Sequence, residues 1–314
     1  MKPSAQHETQ APPPVRGVAW PALLALGLVP VIWGYNWVVM KSALAYMGPF
    51  EFAAWRFVPA GALSALYYAD RINQLPIGVI GIAAGTVVLP EMARRIAAGD
   101  EAGAANAQNR AVEFTLLLGI PCIAAFFAIP ELIMRALFVR GAFTAADATA
   151  AAQTLAAYSF GLMPFVLIRS AVATFFARGD TATPVKASLA AAAVNIGFKV
   201  LLMGSLAQVG LALATSIGAW INLGLVVWMG VRAGHMRSDA RLTQSTLKLV
   251  AAGVVLGLVL WLAHAPVAAM MPRRHGDLTT LVALGVIGGA VYGGAVLLLF
   301  GRDWLKAFRA RLRR

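Results

Sequence analysis

YYADRINQLPIGVIGIAAGTVVLP, residues 67–90, decides the fold class. From Ile77 to Pro90 it carries no charge, yet Asp70 and Arg71 stand side by side near its start, with Asn73 and Gln74 just beyond. Runs of this kind recur along the chain and reach the roughly 18–20 residues that cross a hydrocarbon core. They show helical or continuous apolarity and no period-2 alternation. Backbone groups in lipid must be satisfied internally, so the spans are helices and not barrel strands. Composition agrees: 60% of the 314 residues are hydrophobic and 12% charged, with a mean hydropathy of +0.75, outside the range of ordinary soluble domains. The fold class is an all-α polytopic membrane protein.

Working outward, the pattern predicts membrane helices at 19–42, 50–66, 67–90, 112–138, 145–178, 183–204, 208–232, 245–266 and 278–301, about nine spans. Residues 50–90 read either as two helices or as one long broken helix; Gly48-Pro49 and Pro59 favour two. The run 145–178 is long for one crossing, and Gly161 and Pro164 mark its expected bend. Residues 1–18 form a polar, proline-rich tail that reads as disordered and is not a signal peptide.

The formal charge of +13 lies mostly between and beyond the apolar runs, which points to loop topology and not to nucleic acid. Arg94, Arg95 and Arg110 share one loop, Arg178 and Lys186 flank a second, and Arg232, Arg237, Arg241 and Lys248 surround a third. Together with the basic tail 302–314 they fall on one side, which the positive-inside rule makes cytoplasmic. The single cysteine, Cys122, excludes an intrachain disulfide. Four scattered histidines lack metal-ligand spacing, and no nucleophile–base or paired-carboxylate constellation appears. The expectation is no enzyme, no metal and no cofactor.

Chemistry concentrates in a few polar residues. A charge at the centre of a membrane helix costs roughly 2.5–3.5 kcal/mol on insertion scales, so it normally faces a cavity or a partner. From the residues alone, Arg71 either lines such a cavity or snorkels to the interface. Asp70 points about 100° away from it on a helix, which suggests a bond to another helix or a part in gating. Gln74, one turn on, either shares the cavity or packs as an amide. Arg169, inside FVLIRSAV, lines the cavity or bonds a neighbouring helix, and Lys199 reads as snorkelling. In ARGDTATPVK, Asp180 or a threonine caps the helix that Pro184 opens, and Arg178 with Asp180 is a candidate gate. Gly81, Gly85, Gly141 and Gly161 read as packing positions and not as nucleotide-binding glycines. Glu51 and Arg56 read as a solvated pair at a helix end.

Four blocks carry a resemblance: GALSALYYADRINQLPIGVIGIAAGTVVLPEM, FVRGAFTAADA, AYSFGLMPFVLIRSAVATFFARGDTATPVK and GLALATSIGAWINL. In this order and spacing, residues 61–230 resemble the C-terminal half of the MurJ/MviN family of lipid II flippases, in the multidrug/oligosaccharidyl-lipid/polysaccharide exporter superfamily. The resemblance implies two six-helix lobes around a cationic cavity, a terminal helix pair beside a lipid-tail groove, and transport of an undecaprenyl-diphosphate-linked peptidoglycan precursor across the bacterial inner membrane. By that pattern the chain begins at the eighth helix. It divides into a tail (1–18), a first helical segment (19–60), the second lobe (61–232), the terminal pair (233–301) and a cytoplasmic basic tail (302–314).

The same resemblance implies a diphosphate-binding role for Arg71, with Asp70, Gln74 and Arg169. The expected partners are lipid II, membrane lipids, and either a second copy or a separate first-half chain. Residues 31–57, through WGYNWVVMKSAL and PFEFAAWRF, resemble instead the opening of EamA-type drug/metabolite transporters, with a junction near Val58 to Gly61. A small-metabolite exporter and a non-transporting remnant are the alternative functions.

Overall fold

The computed structural model describes residues 49–271 and 276–312, with side chains described for 64–81, 88–271 and 276–301. Expectations for residues 1–48, including most of the EamA-like segment, lie outside the described residues, as do the side chains of Glu51, Arg56 and the basic tail. By packing, the chain divides into Met1–Pro59 and Ala60–Arg314, and the second unit holds all the side chains described.

All described elements are α-helices: α1 Pro49–Ala97, α2 Glu101–Ala128, α3 Pro130–Phe138, α4 Ala145–Phe176, α5 Ala182–Arg232, α6 Ala240–Met270 and α7 Gly276–Leu312. Among the described residues, five helices are long and apolar enough to cross a membrane: α2, α4, α5, α6 and the Gly276–Gly301 part of α7. Large apolar side chains stay exposed on them, such as Leu189, Ile196 and Val200 on α5 and Val254, Leu258 and Trp261 on α6, as suits surfaces solvated by lipid tails.

Two expectations are corrected here. Residues 50–66 and 67–90 belong to one helix, α1; Pro59 does not end it, so the long-helix alternative holds. The run 112–138 is interrupted at Ile129, where Pro130 starts α3 in the N-terminal position its missing N–H allows.

The predicted break between 183–204 and 208–232 is present. Ala207 takes φ 46°, ψ −125°, a rare backbone for a residue with a Cβ. Ser188 reaches Asn222 at 3.5 Å, Asn195 lies against Gly218, and Leu202 lies against Gly210. These pairings recede on both sides of residue 206, so α5 is an antiparallel helical hairpin. Each arm is about 37 Å long at 1.5 Å per residue, enough to cross.

Close approach at small residues sets the other neighbours. A Cβ on Gly161 would lie 2.7 Å from Ser216 Cα, and Ser216 Oγ donates to Ala157 O at 2.8 Å. Gly161 is thus a contact point between α4 and the second arm of α5, and α4 continues as one helix through Pro164. Gly253 of α6 faces Ile120 of α2, and Tyr292 of α7 donates to Leu117 O at 2.9 Å. Gly141 instead serves a turn, with φ 61°.

Caps fix where the helices start. Asp100 accepts from Gly103 N at 2.7 Å, Asp239 accepts from Leu242 N at 2.7 Å, and Thr144 with Asp147 forms a capping box.

Candidate functional site

The three loops grouped by charge come together at one end of the bundle. Arg178 is paired with Glu101 and also donates to Thr174 O at 2.9 Å, while Asn109 donates to Arg237 O at 3.0 Å. The opposite end gathers the Tyr68 stretch of α1 and the α3–α4 turn: the Tyr68 ring lies 4.7 Å from Phe138 and 4.9 Å from Phe143. Arg135 and Asp277 pair at 3.2 Å.

Arg71 sits one turn below that aromatic cluster, exposed on α1. Its guanidinium lies 5.0 Å from the Tyr67 ring centroid, a cation–π contact of modest strength at an exposed position. Among the described residues no carboxylate stands within ion-pair distance of it. Asp70, half-buried, accepts a hydrogen bond from Gln74. Among the described residues its hydrogen-bond partner is one turn away on the same helix, where i and i+4 side chains meet, and not on another helix as expected. The bond also engages Gln74 with Asp70 on a face adjacent to Arg71.

Arg169 is exposed on α4 although the residues around it are apolar. Its stem lies on α1 at Gly81, where a Cβ would come within 2.7 Å of Cδ and Nε. Gly81 follows Arg71 by ten residues, about 15 Å along the axis. The four residues grouped from sequence therefore form a ladder along α1, with the Asp70–Gln74 pair and Arg71 near one end and Arg169 deeper.

The two residues of the candidate gate make separate contacts. Asp180 Oδ1 accepts from Thr183 N at 3.0 Å, capping α5 as the residue pattern suggested. The hydrogen bonds from Thr183 hold its carboxyl below the usual carboxylate range. Arg178 ties the end of α4 to the start of α2 through Glu101.

Sequence reasoning missed a second ionic cluster. Arg110 Nη1 lies 2.5 Å from Glu113 Oε2, with both side chains about nine-tenths buried. That contact is ionic and poorly directed, since Arg110 Nη1 makes no well-aligned hydrogen bond. Arg110 also pairs with Asp239, Ser245 donates to Glu113, and Arg241 Nε approaches Glu113 Oε1 at 3.5 Å. Burial alone would raise the Asp239 carboxyl, but the Leu242 N–H and the Arg110 guanidinium outweigh it and set it low. The signal was present as Arg110 and Glu113 at i, i+3 at the head of an apolar run, with nothing to indicate that α6 would cover them.

These features define a multi-pass, all-helical membrane protein in which, among the described residues, Arg71 and Arg169 are exposed and have no carboxylate within ion-pair distance. A family model described as "Lipid II flippase MurJ" matches residues 41–274. The probable lipid II flippase MurJ of Rhizobium meliloti (strain 1021) is 41% identical over 255 residues, covering 77% of this chain and 47% of the relative. That of Rhizobium tropici is 38% identical over 229 residues, covering 73% and 42%. A solved structure titled "Lipid II flippase MurJ, inward closed conformation" superposes with a TM-score of 0.65 at 23% identity, over 78% of this chain and 48% of the other; at that identity it speaks for the fold alone.

The chain belongs to the MurJ lipid II flippase family. It spans about half the length of the curated relatives it matches. The family match begins at residue 41 and so runs across the junction expected near Val58 to Gly61.

Proposed function

We propose that this chain takes part in moving a lipid-linked, diphosphate-bearing cell-wall precursor of the lipid II type across the bacterial inner membrane, with its C-terminus in the cytoplasm. The observation that carries this reading is the exposed Arg71 on a helix of a MurJ-family chain, with no carboxylate within ion-pair distance of it among the described residues. An uncompensated guanidinium facing lipid tails is costly, so this face belongs against water, a substrate or another protein. A guanidinium grips phosphate oxygens bidentately and stays charged at any relevant pH, which makes it the fitting side chain for a diphosphate. Arg169 offers a second such group, and the Asp70–Gln74 pair keeps a carboxylate occupied beside them.

Alternating access needs two bundles that rock against each other. The described residues supply one bundle, and we assign the second to a first lobe or to another copy of this chain. The loop cations at the Arg110 end support a cytoplasmic position for that end under the positive-inside rule.

The test is complementation in a bacterium whose own lipid II flippase can be shut off, with membrane insertion verified. Growth supported by the chain and abolished by Arg71→Ala is the expected result. Equal growth with Arg71→Ala, or none with the inserted parent chain, rejects the proposal.

A further inference from the structure

Gly81 is buried in α1, and its nearest neighbours beyond its own helix are atoms of the Arg169 side chain. A Cβ at 81 would meet Arg169 Cδ and Nε at 2.7 Å and Cζ at 3.7 Å, whereas a Cβ on Gly78, one turn earlier, would meet nothing within 4 Å. The bare backbone at 81 is therefore the bed on which the Arg169 stem lies. The threatened atoms are the far end of a flexible side chain and not α4 backbone. A methyl group at 81 would redirect the guanidinium before it pushed the helices apart.

The direction matters because of what shares that face. At 100° per residue, positions 70, 74 and 81 of α1 fall within about 40° of one another. A guanidinium laid over Gly81 thus joins the strip that begins with the Asp70–Gln74 pair, about 16 Å from Asp70 along the axis.

We propose that Gly81 is a positioning residue for Arg169, holding its guanidinium on this strip as a second anion-binding level below Arg71. The inference rests on the reading that Arg169 grips the substrate diphosphate. Gly81 itself touches no ligand and acts only through the arginine.

The experiment measures binding of undecaprenyl diphosphate to the full chain in nanodiscs of phosphatidylethanolamine and phosphatidylglycerol. Losing a hydrogen bond to a charged group predicts about tenfold weaker binding or more for Arg169→Ala. Gly81→Leu should match that loss, Gly81→Ala should show part of it, and Gly78→Ala should show none. Gly81→Leu combined with Arg169→Ala should bind no more weakly than Arg169→Ala alone, because a residue acting through another adds nothing once that other is gone.

Failure of the parent chain to bind, or unchanged affinity in Arg169→Ala, overturns the reading of Arg169 and the inference with it. A clear loss in Arg169→Ala with full binding in both Gly81 variants overturns the positioning role alone. So does an additive loss in the double variant, which would make Gly81 a packing residue. Should Gly81→Leu fail to fold, Gly81→Ala carries the test, since the atoms nearest its single methyl belong to the movable part of Arg169.

Discussion

Arg110 and Arg71 are both arginines on long helices, and the structure treats them in opposite ways. Arg110 is buried between Glu113 and Asp239, at the seam where α6 meets α2. Arg71 is exposed, with an aromatic ring beside it and no carboxylate in reach among the described residues. Bringing a charge out of water is repaid in the first case by counter-charges, and in the second it is avoided by leaving the group open. A paired arginine holds helices together, and an unpaired one is free to hold something else.

This contrast is broken most easily at Glu113. Glu113→Ala would leave a nine-tenths buried guanidinium short of a partner, and breaking a buried pair costs roughly 3–5 kcal/mol. Thermal unfolding of the purified chain in detergent should show a large drop in midpoint. Replacing Arg110 and Glu113 together with methionine should recover most of it, since no lone charge remains. A double variant as unstable as the single one would mean the cluster contributes more than charge balance.

Arg71→Ala should do the reverse. Its unfolding midpoint should stay close to the parent's, because exposed substitutions away from special features usually fall within about 0.5 kcal/mol. Binding of undecaprenyl diphosphate should weaken by about tenfold or more. Arg71→Lys should restore only part of the affinity, since a single ammonium lacks the two-pronged grip.

A smaller effect is expected at the caps. Asp180→Ala should lower the unfolding midpoint slightly through loss of its bond to Thr183 N, with lipid diphosphate binding unchanged; loss of binding would make Asp180 part of a gate. The pH dependence runs in a fixed direction. The carboxyls of Asp180 and Asp239 titrate below their ordinary value of 3.8 in the folded chain. Their contribution is complete above about pH 4 and is lost as pH falls through the lower, folded values. The unfolding midpoint should therefore fall on acidification below about pH 4, less so in Asp239→Asn, which keeps a capping oxygen but has no charge to lose.

Much of this was readable from the chain. The membrane class followed from apolar runs that need only length and composition, and the hairpin break near residue 206 followed from two adjoining runs, each long enough to cross. Asp180 as a cap followed from its spacing to Pro184, a local matter of three or four residues. The resemblance blocks pointed to the family that the matched relatives share.

What stayed hidden were contacts between residues far apart in sequence. Glu113 looked like an ordinary charge at a helix head until Ser245 and Arg241 of α6 closed over it. Asp70 looked able to bond a neighbouring helix, but among the described residues its hydrogen-bond partner is Gln74, a choice set by side-chain reach and local geometry. Arg169 gave no hint that it would lie on a glycine of α1.

By itself, then, the sequence determined that the chain is helical, crosses a membrane several times and carries cations where lipid would not tolerate them. These properties follow from transfer free energies and helical periodicity, which are sums over neighbours in the chain. Only the tertiary structure decided which cations are neutralised and which remain open. Coulomb attraction and desolvation depend on distance in space, and the packing of α2, α4 and α6 sets that distance.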